Sequence, residues 1–282
     1  MGRVVSQYSS QHPITQPDHQ ARKRFGQNFL HDAHIIRKII QAIAPQPGQH
    51  LLEIGPGQGA LTIPLVNCGA TLDVVELDRD LAGWLQNHFA DCERFTLHMG
   101  DVLKFDLRTL TQLPRSIRVI GNLPYNISTP CLFHLLESEA LIDDMTFMLQ
   151  KEVVQRLAAT PDDDEYGRLS VMVQYFCSVE YLFDVPPGAF KPAPKVTSAI
   201  VRLVPHRHTK DQAMDSTLLR DLVRTAFSQR RKTLRNCLKP MIGDLDASAL
   251  PVDLALRPEN LTVADYVRLS NAICRLRHDA TR

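Results

Sequence analysis

The stretch HLLEIGPGQGALT, residues 50–62, changes character in its middle. Its first residues form a short apolar run of strand length, and then three glycines alternate with other residues before an apolar, helix-compatible segment begins. A strand that breaks into a glycine-rich turn and re-enters as a helix is the opening of a βα unit. The same alternation continues outward. LDVVEL (72–77), RFTLHMGD (94–101), IRVIGN (117–122) and DMTFMLQ (144–150) read as further strands, and 59–67, 79–88 and 128–138 between them as helices. Strands separated by helices predict an α/β fold, a parallel sheet with helices on both faces. LSVMVQYFCSVEYLFDV (169–185) and TSAIVRLV (197–204) are β-rich and are expected to finish the sheet.

From residue 206 the texture turns helical. DSTLLRDLVRTAFSQRRKTLRNCL (215–238) carries Leu218, Leu219, Leu222, Val223, Ala226 and Phe227 at helical spacing, with Asp215 or Ser216 placed to cap its start. TVADYVRLSNAICRL (262–276) is a second amphipathic helix. The domains expected are a disordered tail over 1–21, a sheet domain over 22–205 and a small helical domain over 206–282.

The net charge of +1 conceals an asymmetry: residues 206–282 sum to +5 and the remainder to −4. Arg220, Arg224, Arg230, Arg231, Lys232 and Arg235 gather on one helical segment, which suits a polyanionic partner. No stretch approaches the run of about 20 apolar residues that a membrane helix needs, and the polar start has no apolar signal core, so a cytoplasmic protein is expected. The six cysteines are scattered without a CxxC, as reduced, isolated thiols are. His31 with His34, and His206 with His208, could pair on a metal, but no carboxylate or thiol framework accompanies either pair, so none is expected.

The chemistry gathers at the strand ends. Gly55, Gly57 and Gly59 allow a ligand to approach the backbone at a helix start. Glu76 ends the second strand of the unit, about 20 residues on, where an acid takes a ribose diol. Asp101 ends the next strand, where an acid can take an adenine amino group; alone it reads equally well as a helix cap. NAD and S-adenosylmethionine both fit these three features. Glu53, two residues before the first glycine, suits a cation better than a pyrophosphate.

IGNLPY, residues 120–125, decides between them. A turn needs Gly, Asn and Pro, but not the aromatic Tyr125 directly after Pro124. An exocyclic adenine amine is a poor nucleophile because its lone pair is delocalised into the ring. Acceptors on its two hydrogens release that lone pair, and the Asn122 side-chain oxygen with the Leu123 carbonyl can be those acceptors. Pro124 stiffens the turn, and Tyr125 offers a face on which a splayed-out base stacks.

The chain resembles the ribosomal RNA adenine dimethyltransferases, in particular the small-subunit (16S) type, from about residue 22 to the end. The resemblance rests on KRFGQNFLHD (23–32), LEIGPGQGALT (52–62), GNLPYNISTP (121–130) and FKPAPKVTSAIVRL (190–203), with QKEVVQRLAA (150–159) and YGRLSV (166–171) in support. It implies a Rossmann-like methyltransferase sheet dependent on S-adenosylmethionine, followed by a small helical C-terminal domain. It adds Asn28 and Leu30 as cofactor contacts, with Gly55, Glu76, Asp101 and Asn122 at the family's other cofactor positions. Phe190 matches an aromatic that packs against the target base opposite the Tyr, although its residue type alone reads as core. The activity implied is N6,N6-dimethylation of two adjacent adenosines near the 3′ end of 16S rRNA, by a monomer whose partners are the small ribosomal subunit and its rRNA, with no membrane partner and a role in subunit biogenesis. Two rivals stand beside it: a large-subunit rRNA adenine dimethyltransferase giving antibiotic resistance, and a non-catalytic RNA-binding assembly factor. A nicotinamide dehydrogenase leaves the NLPY motif without a purpose.

Overall fold

The computed structural model describes residues 22, 27–207, 212–229, 231–243 and 245–279. The tail expected over 1–21, residues 23–26 of the first motif, His208 and Arg230 lie outside these. In chain order the elements are β1 (Phe29–Leu30), α1 (Ala33–Ile43), β2 (His50–Ile54), α2 (Thr62–Asn67), β3 (Thr71–Glu76), α3 (Arg79–His88), β4 (Phe95–Met99), β5 (Ile117–Asn122) and α4 (Ser128–Leu136). They continue with β6 (Ile142–Gln150), α5 (Lys151–Ala158), α6 (Arg168–Phe176), β7 (Cys177–Val185), β8 (Phe190–Lys191) and β9 (Ser198–Pro205), and end with α7 (Ser216–Ala226), α8 (Leu234–Ile242) and α9 (Val263–Asp279).

Seven strands form one sheet in the order β4-β3-β2-β5-β6-β9-β7, and β1 pairs with β8 separately. β2 pairs in parallel with both β3 and β5, β3 with β4, and β5 with β6. β9 returns antiparallel to β6. β2, β3 and β4 step one way across the sheet and β5 and β6 the other, so the order reverses between β2 and β5. A crevice opens outside the carboxyl ends of strands at such a reversal, where ligands bind in open α/β sheets.

Sequence accounts for the local structure at each end of these units. Asp32 caps α1 by accepting from the His34 and Ile35 amides at 2.8 and 3.0 Å, and Ile35, Ile39 and Ile43, four apart, bury that helix's inner face. Arg118 of β5 grips Asp144 with two bonds of 2.8 Å and reaches the Ile43 carbonyl at 2.7 Å, tying the end of α1 to the sheet.

One expected strand is a helix. Residues 168–176 form α6, because the segment is held by groups distant in sequence. Ser170 Oγ donates to the Arg156 carbonyl at 2.5 Å, and the Gln174 amide donates to the Leu157 and Ala159 carbonyls at 2.8 Å each. These bonds satisfy the carbonyls that the end of α5 leaves open. Only 177–185 is strand. The long helix expected from 215 is also two, α7 and α8, with residues 227–229 and 231–233 between them non-helical.

The chain divides into two compact units, 1–154 with 180–205, and 155–179 with 206–282. The segment 155–179, assigned by sequence to the sheet domain of 22–205, belongs to the helical unit. In that unit Leu218, Leu222, Leu238, Tyr266 and Ile273 are buried, and the Tyr266 hydroxyl donates to the Pro258 carbonyl at 2.9 Å. Among the described residues no helix is long and apolar enough to cross a membrane.

Gly121 shows how closely β2 and β5 approach. A Cβ there would lie 2.9 Å from the Ile54 carbonyl oxygen and 3.0 Å from a Leu123 methyl. Gly121→Ala is therefore expected to destabilise the fold by about 1–3 kcal/mol, the cost of overpacking a well-filled interior. Urea unfolding measures it, and an unchanged midpoint would show that the strands part without cost.

Candidate functional site

A cavity of about 360 Å³ lies at the strand reversal, lined by the carboxyl ends of β2 to β5 and by residues 27–30. Parallel register brings these ends level: Ile54 pairs with Val75 and Gly121, and Glu76 pairs with Met99. Beyond each strand end comes the residue that sequence singled out, Gly55 after β2, Glu76 on β3, Asp101 after β4, and Asn122 to Tyr125 on and after β5. All of them line the cavity.

The glycine turn has the backbone its composition predicts. Gly55, Gly57 and Gly59 have φ of 63°, 57° and 78°, the left-handed region where other residues are strained. At Gly57 space is restricted as well, since a Cβ would meet the Phe29 ring at 3.2 Å. Phe29 thus covers the glycine turn directly.

Glu76 is 6 % exposed. Its Oε2 accepts from the Gly57 amide at 3.2 Å and its Oε1 from the Asp78 amide at 2.8 Å. Burial raises its pKa, those two amides oppose the rise, and the Asp78 charge adds to it. Asp101 is half-buried and accepts from the Leu103 amide at 3.0 Å, so it caps a short turn while lining the cavity.

Glu53 is 2 % exposed, and its Oε2 has no hydrogen-bond partner. Burial pushes its pKa up to about 8, the Glu76 charge adds to the rise, and the Thr62 hydroxyl opposes it. Three carboxyl groups therefore line the cavity, and no Lys, Arg or His among the described residues does so.

On the other side, the Asn122 amide nitrogen donates to the Asn28 carbonyl at 3.2 Å, which fixes the orientation of its side chain. The Leu123 amide donates to the Met148 carbonyl of β6 at 3.2 Å. The Tyr125 hydroxyl bonds Ser198 Oγ at 2.8 Å, and burial raises the phenol's pKa against that bond. The ring is thus held at both ends, by Pro124 in the chain and by Ser198 at its tip. Ser198 escaped the sequence reading; the signal available was a hydroxyl at a buried, period-2 position of β9 among Ile200 and Ala199.

Residues 27–30 are anchored on several sides. Gln27 Nε2 donates to Asp78 Oδ2 at 3.1 Å, and Arg22 reaches the same carboxylate at 3.0 Å and also bonds Asp80. Asn28 and Leu30 line the cavity. Phe190 does not. It is 3 % exposed, pairs with Leu30 in the β1–β8 ladder, and packs among Leu30, Val185 and Ile200. β8 turns its side chain towards the core, where it supports the segment carrying Leu30. Of the histidines considered for metal, His206 bonds the Gln174 carbonyl at 3.0 Å.

Residues 18–274 match the family model of ribosomal RNA adenine dimethylases. A protein of Pseudomonas putida named ribosomal RNA small subunit methyltransferase A is 60 % identical over 258 residues, 92 % of this chain and 97 % of that one. A namesake from Aromatoleum aromaticum is 58 % identical over 256 residues, 91 % and 95 % of the two chains. Among solved structures, a dimethyladenosine transferase of Plasmodium falciparum superposes with a TM-score of 0.73 at 26 % identity, covering 86 % of this chain and 95 % of that one. The 23S rRNA methyltransferase ErmE superposes with a TM-score of 0.66 at 22 % identity, covering 88 % and 100 %, a likeness of fold.

The Glu53 environment has a consequence for stability in the ligand-free protein. The unfolded chain loses this proton near 4.5, whereas the folded chain holds it to about 8. Folding stability should therefore fall as pH rises between those values and level off above them. Glu53→Gln removes that loss, so the variant should gain on the wild type at up to about 1.4 kcal/mol per pH unit. Denaturant unfolding from about pH 5 to about pH 8 tests this, and parallel stability curves would mean that Glu53 is ionised throughout.

Proposed function

This chain belongs to the ribosomal RNA adenine dimethylase family, and we propose that it uses S-adenosylmethionine to dimethylate N6 of two adjacent adenosines near the 3′ end of small-subunit (16S) rRNA, as a step of subunit biogenesis. It is an RNA methyltransferase, and the relatives at 58–60 % identity share a name that specifies the small subunit. ErmE, at 22 % identity, shares the fold, and the large-subunit reading has no support beyond that.

The observation that carries the cofactor is the charge of the cavity, three carboxyls without a cationic side chain among the described residues. Among the described residues a pyrophosphate would meet no cationic side chain there. A cationic nucleoside fits, with Glu76 placed for the ribose hydroxyls, Asp101 for the adenine amino group, and Gly55, Asn28, Leu30 and Asn122 around the rest. The orphaned oxygen of Glu53 and the glycine turn beneath Phe29 fit the same group. When bound, S-adenosylmethionine supplies a methyl group made electrophilic by its positively charged sulfur.

The chain's own residues then have mainly to position the target. The Asn122 oxygen and the Leu123 carbonyl accept the two amine hydrogens, which frees the nitrogen lone pair from the ring. Tyr125, pinned by Ser198, stacks the base. No strong base is needed, because an alkylated amine gives its proton readily to water. Alignment of reacting groups at about 3–3.5 Å is the larger contribution. An assembly factor without chemistry would not need this acid and amide set.

A pocket for one nucleoside cannot select a site on a ribosomal subunit, so a wider contact is required. In the helical unit Arg220, Arg224, Arg231, Lys232 and Arg235 are exposed, and Arg224 is paired with Asp221 at 3.0 Å. We assign this strip to rRNA phosphates; its sixth expected member, Arg230, lies outside the described residues.

Asn122→Ala should lose most methyl transfer while subunit binding persists, and Tyr125→Ala should weaken it through diminished stacking of about 1–3 kcal/mol. Single-turnover rates on saturated small subunits measure both; wild-type rates in the two variants would remove the base clamp. Arg231→Ala combined with Arg235→Ala should weaken subunit binding and flatten its salt dependence by about 0.7–0.9 for each phosphate no longer neutralised, leaving S-adenosylmethionine affinity unmoved. Identical salt slopes for variant and wild type would return the strip to ordinary surface.

A further inference from the structure

Among the described residues Glu53 is the buried carboxyl of the cavity with an oxygen, Oε2, that has no hydrogen-bond partner. Glu76 is engaged by two backbone amides and Asp101 by one. Glu53 Oε2 has no partner, at 2 % exposure and one residue before the end of β2. A buried carboxylate without a counter-charge is costly, and such a group stays protonated until a cation arrives. The titratable groups that share its cavity are Glu76 from β3, Asp101 beyond β4 and Tyr125 beyond β5. α2 contributes Thr62, and residues 27–30 contribute Gln27 and Asn28, none of them titratable. Among the described residues every charge that lines the cavity with Glu53 is negative, and only the Thr62 hydroxyl opposes the rise in its pKa.

We propose that Glu53 is the charge sensor of the cofactor cavity: it holds a proton when the cavity is empty, releases it to solvent when a cationic sulfonium nucleoside binds, and regains one when the uncharged thioether product is left. This rests on the reading of the cavity as an S-adenosylmethionine site. The two ligands differ by one methyl group and one positive charge, and Glu53 responds to the charge. The pKa of about 8 in the empty cavity places the exchange in the neutral range. Release of the proton favours the charged cofactor, and its return withdraws that preference once the sulfur has become a neutral thioether. Two adenosines that each take two methyl groups require the cavity to be emptied and refilled between transfers, which this asymmetry assists.

The test is calorimetric titration of the wild-type chain with S-adenosylmethionine and with S-adenosylhomocysteine, in buffers of different ionisation enthalpy, across neutral pH. At about pH 7 the first ligand should release close to one proton per site and the second none, by linkage. The ratio of the two affinities should rise about tenfold per pH unit below about pH 8 and level off above it. In Glu53→Gln both the proton release and the slope should vanish, and the preference for the charged ligand should fall by about tenfold or more. Equal proton release by the two ligands in the wild type would overturn the proposal without any variant, as would an unchanged difference in Glu53→Gln. Failure of both ligands to bind the wild type would remove the cofactor reading and this inference together, which distinguishes that failure from a failure of Glu53 alone.

Discussion

The site depends on the close approach of two parallel strands. Ile54 and Gly121 stand opposite each other, and no side chain fits between them. Gly121 is therefore not simply a turn residue before Asn122. It lets β5 lie tight against β2, so that the strand ending in the glycine turn and the strand ending in Asn-Leu-Pro-Tyr finish side by side. Everything placed on those ends inherits that spacing: a cradle on one strand, a clamp on the next, and the reversal of strand order opening the crevice between them.

The electrostatics follow from the same placement. Level strand ends bring three acids into one cavity, and the backbone satisfies them unequally. Amides of residues 57 and 78 hold Glu76, and the residue 103 amide holds Asp101. Glu53 sits within the strand rather than at its open end, so the amides around it are committed to the sheet. Its raised pKa is thus a product of topology, and so is the suitability of the cavity for a cation.

Much of this was legible in sequence, for a physical reason. Strand ends announce themselves by a change of period, and Gly55, Glu76, Asp101 and Asn122 each fall at such a change. What sequence could not convey was direction and distance. Residues 168–176 have β-prone side chains, yet the Gln174 and Ser170 bonds to α5 carbonyls make them helical, and those partners lie 14 to 17 residues away. Phe190 belongs to a motif of the right family, but a motif does not say which way a strand residue points. In β8 it alternates inward and Lys191 outward. Ser198 was hidden for the converse reason, since its bond to Tyr125 spans 73 positions.

These last two residues share a cause. An all-parallel sheet would bring each new strand in at the far end, away from the cavity. Because β9 runs antiparallel to β6, it begins where the others finish, with Ser198 opposite Gln150. The connection leading into it therefore passes the cavity edge. On that passage β8 pairs with β1, through Phe190 with Leu30 and Lys191 with Phe29, and so supports the segment that covers the glycine turn. A few residues later Ser198 takes the Tyr125 hydroxyl. One reversal of strand direction thus secures both sides of the cavity, the cover over the glycine turn and the ring of Tyr125.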